Sequence, residues 1–184
     1  KPKHGAGFAG AHKIIDSEEL EEMLNGDSHQ HIDAPALLAA RLMDMLFNDW
    51  DRHSGQWKWA RMQPGAESPW VPIPRDRDKV FVSCDGVIPG IARLAAPNLV
   101  PFRGAYPSVR ALMWNSVEFD RRLLNGLERP VWDSVVAALV RRITDSVIDA
   151  AMQALPPEYR PSAPLLASRL KQRRDGLPDA ARRF

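Results

Sequence analysis

Apolar side chains first recur at helical spacing behind Asp33-Ala34-Pro35. Leu38, Leu42, Met45 and Leu46 fall on one face, which predicts a helix over 34–47 with proline in its first turn. Asn48-Asp49 ends it, because those side chains compete with the helical backbone. Upstream, Asp16-Ser17-Glu18-Glu19 has the capping-box pattern and Gly26 is a stop, so 17–25 is a short helix. Residues 57–61 alternate like a strand. A turn over Gln63–Ser68 follows, then a second extended run, Trp70-Val71-Pro72-Ile73, whose prolines suit a sheet edge. Paired as a hairpin, the two runs bring residue 56 close to residue 76. Residues 86–115, with four of the sixteen prolines, read as irregular loops with short helices. Beyond them the pattern is helical over 117–124, 130–142, 144–155 and 164–175, with a last piece from Pro178. Val135, Leu139, Ile143, Val147 and Ile148 recur at core spacing, and the tryptophans at 50, 57, 59 and 70 are expected to pack. The fold class expected is mainly α with a small β-hairpin.

Composition narrows the class without naming it. The chain has 184 residues, 45% hydrophobic and 26% charged, enough for a core without metal or disulfide staples. One cysteine, Cys84, excludes an intramolecular disulfide and a cysteine-based zinc cage. No apolar run approaches the roughly 18 residues of a membrane span. A start at Lys1, without Met or a charged-then-apolar leader, reads as a piece of a longer polypeptide. Residues 1–15 are then a linker or the remnant of an upstream lobe, and 16–184 form one domain. The net charge of +2 does not argue for nucleic acid. Residues 1–51 carry 4 basic and 10 acidic side chains, 52–140 carry 12 and 8, and 141–184 carry 9 and 5. That asymmetry suits a phosphate held near the middle of the chain. Arg169, Lys171, Arg173 and Arg174 are expected on a solvated face.

The densest polar cluster, Asn48-Asp49-Trp50-Asp51-Arg52-His53-Ser54-Gly55-Gln56-Trp57, lies between the helix end and the first strand. Arg75-Asp76-Arg77-Asp78 follows the second strand. Carboxylates on two loops joined by a hairpin can converge, and carboxylates plus an amide oxygen are the donors Mg²⁺ takes. The arginines can offset that charge or contact phosphate.

Asp51-Arg52-His53-x-x-Gln56 resembles the D-R-H-x-x-N catalytic loop of lipid kinases, HipA-like proteins and other atypical kinases, and Asp76 resembles the metal-binding Asp of CotH-type spore-coat kinases. The longer string, from Asn48 through Trp59 to Pro72-Ile73-Pro74-Arg75-Asp76-Arg77-Asp78, is similar to a segment in bacterial polypeptides. There it lies near a metallophosphoesterase-like region or an outer-membrane surface-antigen barrel. The kinase resemblance covers about residues 34–82 and the bacterial one about 15–184. It implies a helical domain like a kinase carboxy-terminal lobe, with Mg²⁺ and ATP as cofactors. Asp51 would be the catalytic aspartate, Gln56 would stand at the second-metal position, and Asp76 would hold the metal on the phosphates, with Asp78 in reserve. Arg52 and His53 would brace the loop, Asp49 would cap or orient it, and Arg75 and Arg77 would support it. Two departures stand out: Gln replaces Asn, and no Gly-rich loop followed by a strand Lys is visible, the Gly-rich stretch 4–10 reading as a flexible end.

Three functions follow as expectations. The first is an Mg²⁺-dependent phosphotransferase with ATP as donor and an unknown acceptor. The second is a degenerate kinase-like scaffold. The third is a metal-dependent phosphohydrolase built from Asp49, Asp51, His53, Asp76 and Asp78. The resemblance also implies covalent neighbour domains and a bacterial cell-envelope, periplasmic setting, with a cytoplasmic one left open.

Overall fold

The computed structural model describes residues 8–82 and 99–184; Cys84 and most of the Gly-rich stretch lie outside them. Strand β1 (Lys13–Asp16) leads into helix α1 (Ser17–Gly26). Helix α2 (Ala34–Phe47) and strands β2 (Trp57–Arg61) and β3 (Trp70–Pro74) follow. After an irregular stretch come α3 (Val109–Leu112), α4 (Val117–Leu124), α5 (Arg129–Arg142), α6 (Asp145–Gln153) and α7 (Ala163–Ala181). The protein is therefore mainly helical with a small antiparallel sheet, as the pattern predicts.

The expected hairpin pairs Trp57 with Pro74 and Arg61 with Trp70. It gains a third strand, because β1 pairs antiparallel with β2, Ile15 opposite Trp59. This strand lies across the boundary read at residue 15. On β2, Trp57 and Trp59 point to the same side, as period two requires. Their ring centroids are 6.2 Å apart, and each lies 6.1 Å from Phe119 of α4. Trp57, Trp59 and Trp70 are almost fully enclosed, and Trp59 Nε1 donates to Ser17 Oγ at 3.1 Å.

Helix α2 is the central post. Asp33 accepts from Ala36 N–H at its start, and Asn48 closes it in the left-handed region at φ 63°. Leu37, Leu38, Leu42 and Met45 are wholly buried, and so are Arg41 and Asp44. Charged side chains on the buried face of this helix must be satisfied internally.

The carboxy-terminal helices depart from the sequence reading in three ways. Helix α7 runs unbroken through Gly176 and Pro178, both expected to interrupt it. Leu177, Ala180 and Ala181 are buried on that segment, so packing outweighs the local breakers. Arg173 is not on a solvated face: it is fully buried, with its guanidinium 4.1 Å from the Tyr106 ring. Finally, Val147 is 51% exposed, whereas Val136 and Ile148 are buried. Ile148 joins Leu46, Phe102 and Leu170 in a small core between α6, α7 and the end of α2.

This register has a measurable consequence. Val147 sits in the first turn of α6, where its N–H meets Thr144 Oγ1 at 3.3 Å. An acid there favours the helix dipole, so Val147→Asp is expected to change stability by no more than about 0.5 kcal/mol. Ile148→Asp buries an unpaired charge and is expected to cost about 3 kcal/mol or more. Urea midpoints of the two proteins check this; equal losses would contradict the register.

Candidate functional site

Two loops converge beside α2, and one arginine ties them together. Residues 48–56 connect α2 to β2, and residues 75–78 leave β3. Because the strands are paired, Arg75 N–H donates to the Gln56 carbonyl at 2.9 Å. The Arg52 guanidinium extends the tie: Nη1 donates to the Gln56 carbonyl at 3.3 Å and also to the Arg75 carbonyl. Its Nη2 meets Asp49 Oδ2 at 2.5 Å, and its Nε lies 3.2 Å from Asp44 Oδ2. Trp57 supports the group from below, 5.3 Å from the ring centroid. Arg52 thus joins the two loops, with Asp49 as its carboxylate partner.

Asp44 is the hub beneath both loops. One of its oxygens accepts from Arg41 Nη1 at 2.8 Å, and the other accepts from Arg77 Nη2 at 2.9 Å and Arg77 Nε at 3.1 Å. Arg41 continues inward to Asp120, with Nε–Oδ1 at 2.8 Å and Nη2–Oδ2 at 3.0 Å, and it also donates to Ser116 Oγ. Arg41, Arg52 and Arg77 therefore balance Asp44, Asp49 and Asp120. Burial pushes the Asp49 carboxyl above the ordinary carboxylate range, against the opposing pull of Arg52 and with the Asp44 charge adding to the rise.

Above this network sit the carboxylates that face solvent. Asp51 is half-buried, and its Oδ1 accepts from Asn115 Nδ2 at 3.3 Å. Asp76 is exposed and holds a left-handed backbone at φ 53°, an uncommon conformation for a residue other than glycine. Asp78 accepts from Lys79 Nζ at 2.7 Å, and that bond holds its carboxyl below the usual range. Lys79 is raised in turn, first by Asp78 and then also by the charges of Asp51 and Asp76. One ammonium thus lies in the field of three aspartates from two loops.

The remaining expected site residues go elsewhere. Gln56 is 8% exposed, and its Oε1 is enclosed and accepts no hydrogen bond. Asp49 is buried against Arg52 rather than presented with the others. His53 is exposed, and its Nδ1 accepts from Gly55 N–H at 3.2 Å, capping the short turn 54–56. Arg75 contributes its backbone, whereas Arg77 reaches down to Asp44. Among the described residues no three His, Cys, Asp or Glu side chains meet as a metal cage.

Sequence reading missed Arg41, Asp44, Asp120, Asn115 and Lys79. Arg41 and Asp44 did carry a signal: they are charges three residues apart among Leu38, Leu42 and Met45, where only a paired charge is tolerated. Asp120 and Asn115 lie more than sixty residues downstream and carried none.

No family model matches this chain, and no curated protein or solved structure matches it closely enough to count as a relative. No helix among the described residues is long and apolar enough to cross a membrane.

Proposed function

We propose that the domain is a kinase-like, Mg²⁺-dependent phosphate-transfer module, with ATP as donor and Asp51, Asp76 and Asp78 as its polar centre. The observation that carries this reading is that Asp51, Asp76 and Asp78 stand on two loops fastened to one buried network, with Lys79 bonded to Asp78 and within the field of the other two. Buried ion pairs recover little beyond their own desolvation. Three aspartates and three arginines beneath two loops therefore favour a role in fixing geometry, and a left-handed aspartate at the opening is the kind of strain that functional loops hold.

The donor set fits the cation. Mg²⁺ is normally held by one or two carboxylates together with substrate phosphates, so a cage of three acidic side chains is not required. Asp76 and Asp78 would hold the ion, which when bound would neutralise phosphate charge. Asp51 would orient an acceptor hydroxyl and take its proton, while Asn115 keeps the carboxylate turned. Lys79 would offset charge at the opening. Gln56 fits its proposed role least well, because its amide oxygen is enclosed. That enclosure favours a second reading, a catalytically degenerate kinase-like scaffold within a longer cell-envelope polypeptide. A phosphohydrolase is weaker, since Asp49 and His53 are engaged elsewhere.

Paramagnetic relaxation tests the location. Mn²⁺ with ATP should broaden the amide signals of residues 51 and 76–79 before those of α5 and α6. Selective broadening at another surface, or none at these loops, would overturn the reading.

A further inference from the structure

Asn115, which donates to the Asp51 carboxylate, also lines a groove of about 1250 Å³. It exceeds the roughly 300–1,000 Å³ typical of small-molecule pockets, and it is open, which suits an extended chain better than an enclosed ligand. Its lining combines arginine with large aromatic surface. Trp114 is 53% exposed at one wall, and Trp132 and Phe184 pack 5.5 Å apart at another. The Trp132 Nε1 donor is buried and has no acceptor.

The charges in the groove are unequally satisfied. Asp120 is neutralised from within by Arg41, and Glu21 pairs with Arg122 at 3.0 Å. Arg110 and Arg121 are exposed, and no carboxylate among the described residues pairs with either. Among the described residues Arg183 donates to the Asp179 carbonyl and pairs with no carboxylate. Against these three cations stands Glu118. Exposed tryptophan flanked by arginine is the composition of binding hot spots, and the surplus of positive charge selects an anionic partner.

The geometry points to this groove as a docking site for an acidic peptide segment carrying an aromatic or large aliphatic side chain. The apolar side chain would lie on Trp114, and its carboxylates would meet Arg110, Arg121 and Arg183. This inference goes beyond the nucleotide reading and survives its failure. If that reading holds, the peptide would approach Asp51 past Asn115.

Fluorescence anisotropy on the full chain, with no nucleotide present, tests it. The probes are a labelled pool of short peptides rich in Asp and Glu with one aromatic residue, and a matched pool in which Lys replaces the acids. The acidic pool should bind and the basic pool should not, and binding should weaken several-fold between about 50 and 300 mM salt. Arg110→Glu/Arg121→Glu should weaken binding about tenfold or more, and Trp114→Ala should weaken it as well. Both changes are at exposed positions, so their thermal midpoints should match the parent, which separates lost docking from lost folding. Equal binding of the two pools, acidic binding unaffected by the arginine reversals, or binding to phosphatidylserine-containing vesicles without peptide binding would each overturn the inference.

Discussion

Asp44→Ala is expected to cost the protein about 3–5 kcal/mol of stability. Asp44 has no exposed side-chain surface and answers three arginines: Arg41 at 2.8 Å, Arg77 at 2.9 Å and Arg52 at 3.2 Å. Truncation removes the shared counter-charge while two of those guanidinium groups stay buried. Breaking a buried pair from one side typically costs about 3–5 kcal/mol; Arg41 keeps Asp120 and Arg52 keeps Asp49, so what is lost is the one counter-charge the three arginines share. Domains of ordinary size have about 5–15 kcal/mol in total. Asp44→Asn should be milder, since the amide oxygen can still accept, but it leaves the network one negative charge short. Chemical denaturation of both variants measures this. A midpoint for Asp44→Ala within error of the parent would show that the network does not hold the loops.

The second large effect is expected at Arg173, which closes the lower end of the same helix. Its guanidinium donates to the carbonyls of Met45 at 2.5 Å and Leu46 at 2.8 Å, in the last turn of α2. It also donates to the carbonyls of Arg103 at 3.0 Å and Ala105 at 3.1 Å. The Met45 carbonyl also accepts from Asn48 N–H at 3.1 Å, but last-turn carbonyls such as that of Leu46 lack a partner within the helix, and a cation there also answers the negative end of the dipole. Burial brings the guanidinium pKa down to about 10, which still leaves it charged at neutral pH. Arg173→Met fills much of the volume but supplies no donor. Each stranded buried acceptor costs about 1–3 kcal/mol, so a loss near 3–5 kcal/mol is expected. Arg173→Lys should recover less than half, because an ammonium cannot serve a planar spread of four carbonyls. In thermal melts the Met variant should fall by on the order of 10 °C. A fall of one or two degrees would mean water replaces the guanidinium.

Local signals carried the central part of the fold. Asp33-Ala34-Pro35 and Asn48 bound α2 because cap chemistry acts within a few residues, and the proline-bearing hairpin brought Gln56 beside Arg75. What escaped was non-local. β1 is four residues long and becomes a strand only because β2 offers an edge to Ile15 and its neighbours. Helix α7 passes Gly176 and Pro178 because distant partners bury Leu177 and Ala180. Arg173 read as solvated charge because its acceptors are backbone carbonyls some 127 residues away in sequence, for Leu46, and carbonyls leave no mark in composition. Val147 and Ile148 are adjacent and equally apolar, so spacing alone could not choose between them. At the candidate site the motif located both loops and the bracing arginine. It set Gln56 at a metal position, whereas the amide oxygen is enclosed without a partner, and Asp49, expected to cap or orient the loop, pairs with Arg52.

Isothermal calorimetry with Mg²⁺ and ATP on the parent, Asp76→Ala and Asp51→Ala proteins tests the central claim most directly. The account predicts weak, Mg²⁺-dependent binding by the parent. It predicts a marked loss for Asp76→Ala, which removes a metal ligand, and a smaller one for Asp51→Ala, which removes the group facing the acceptor. No Mg²⁺-dependent binding by the parent, or equal binding by all three, would contradict it.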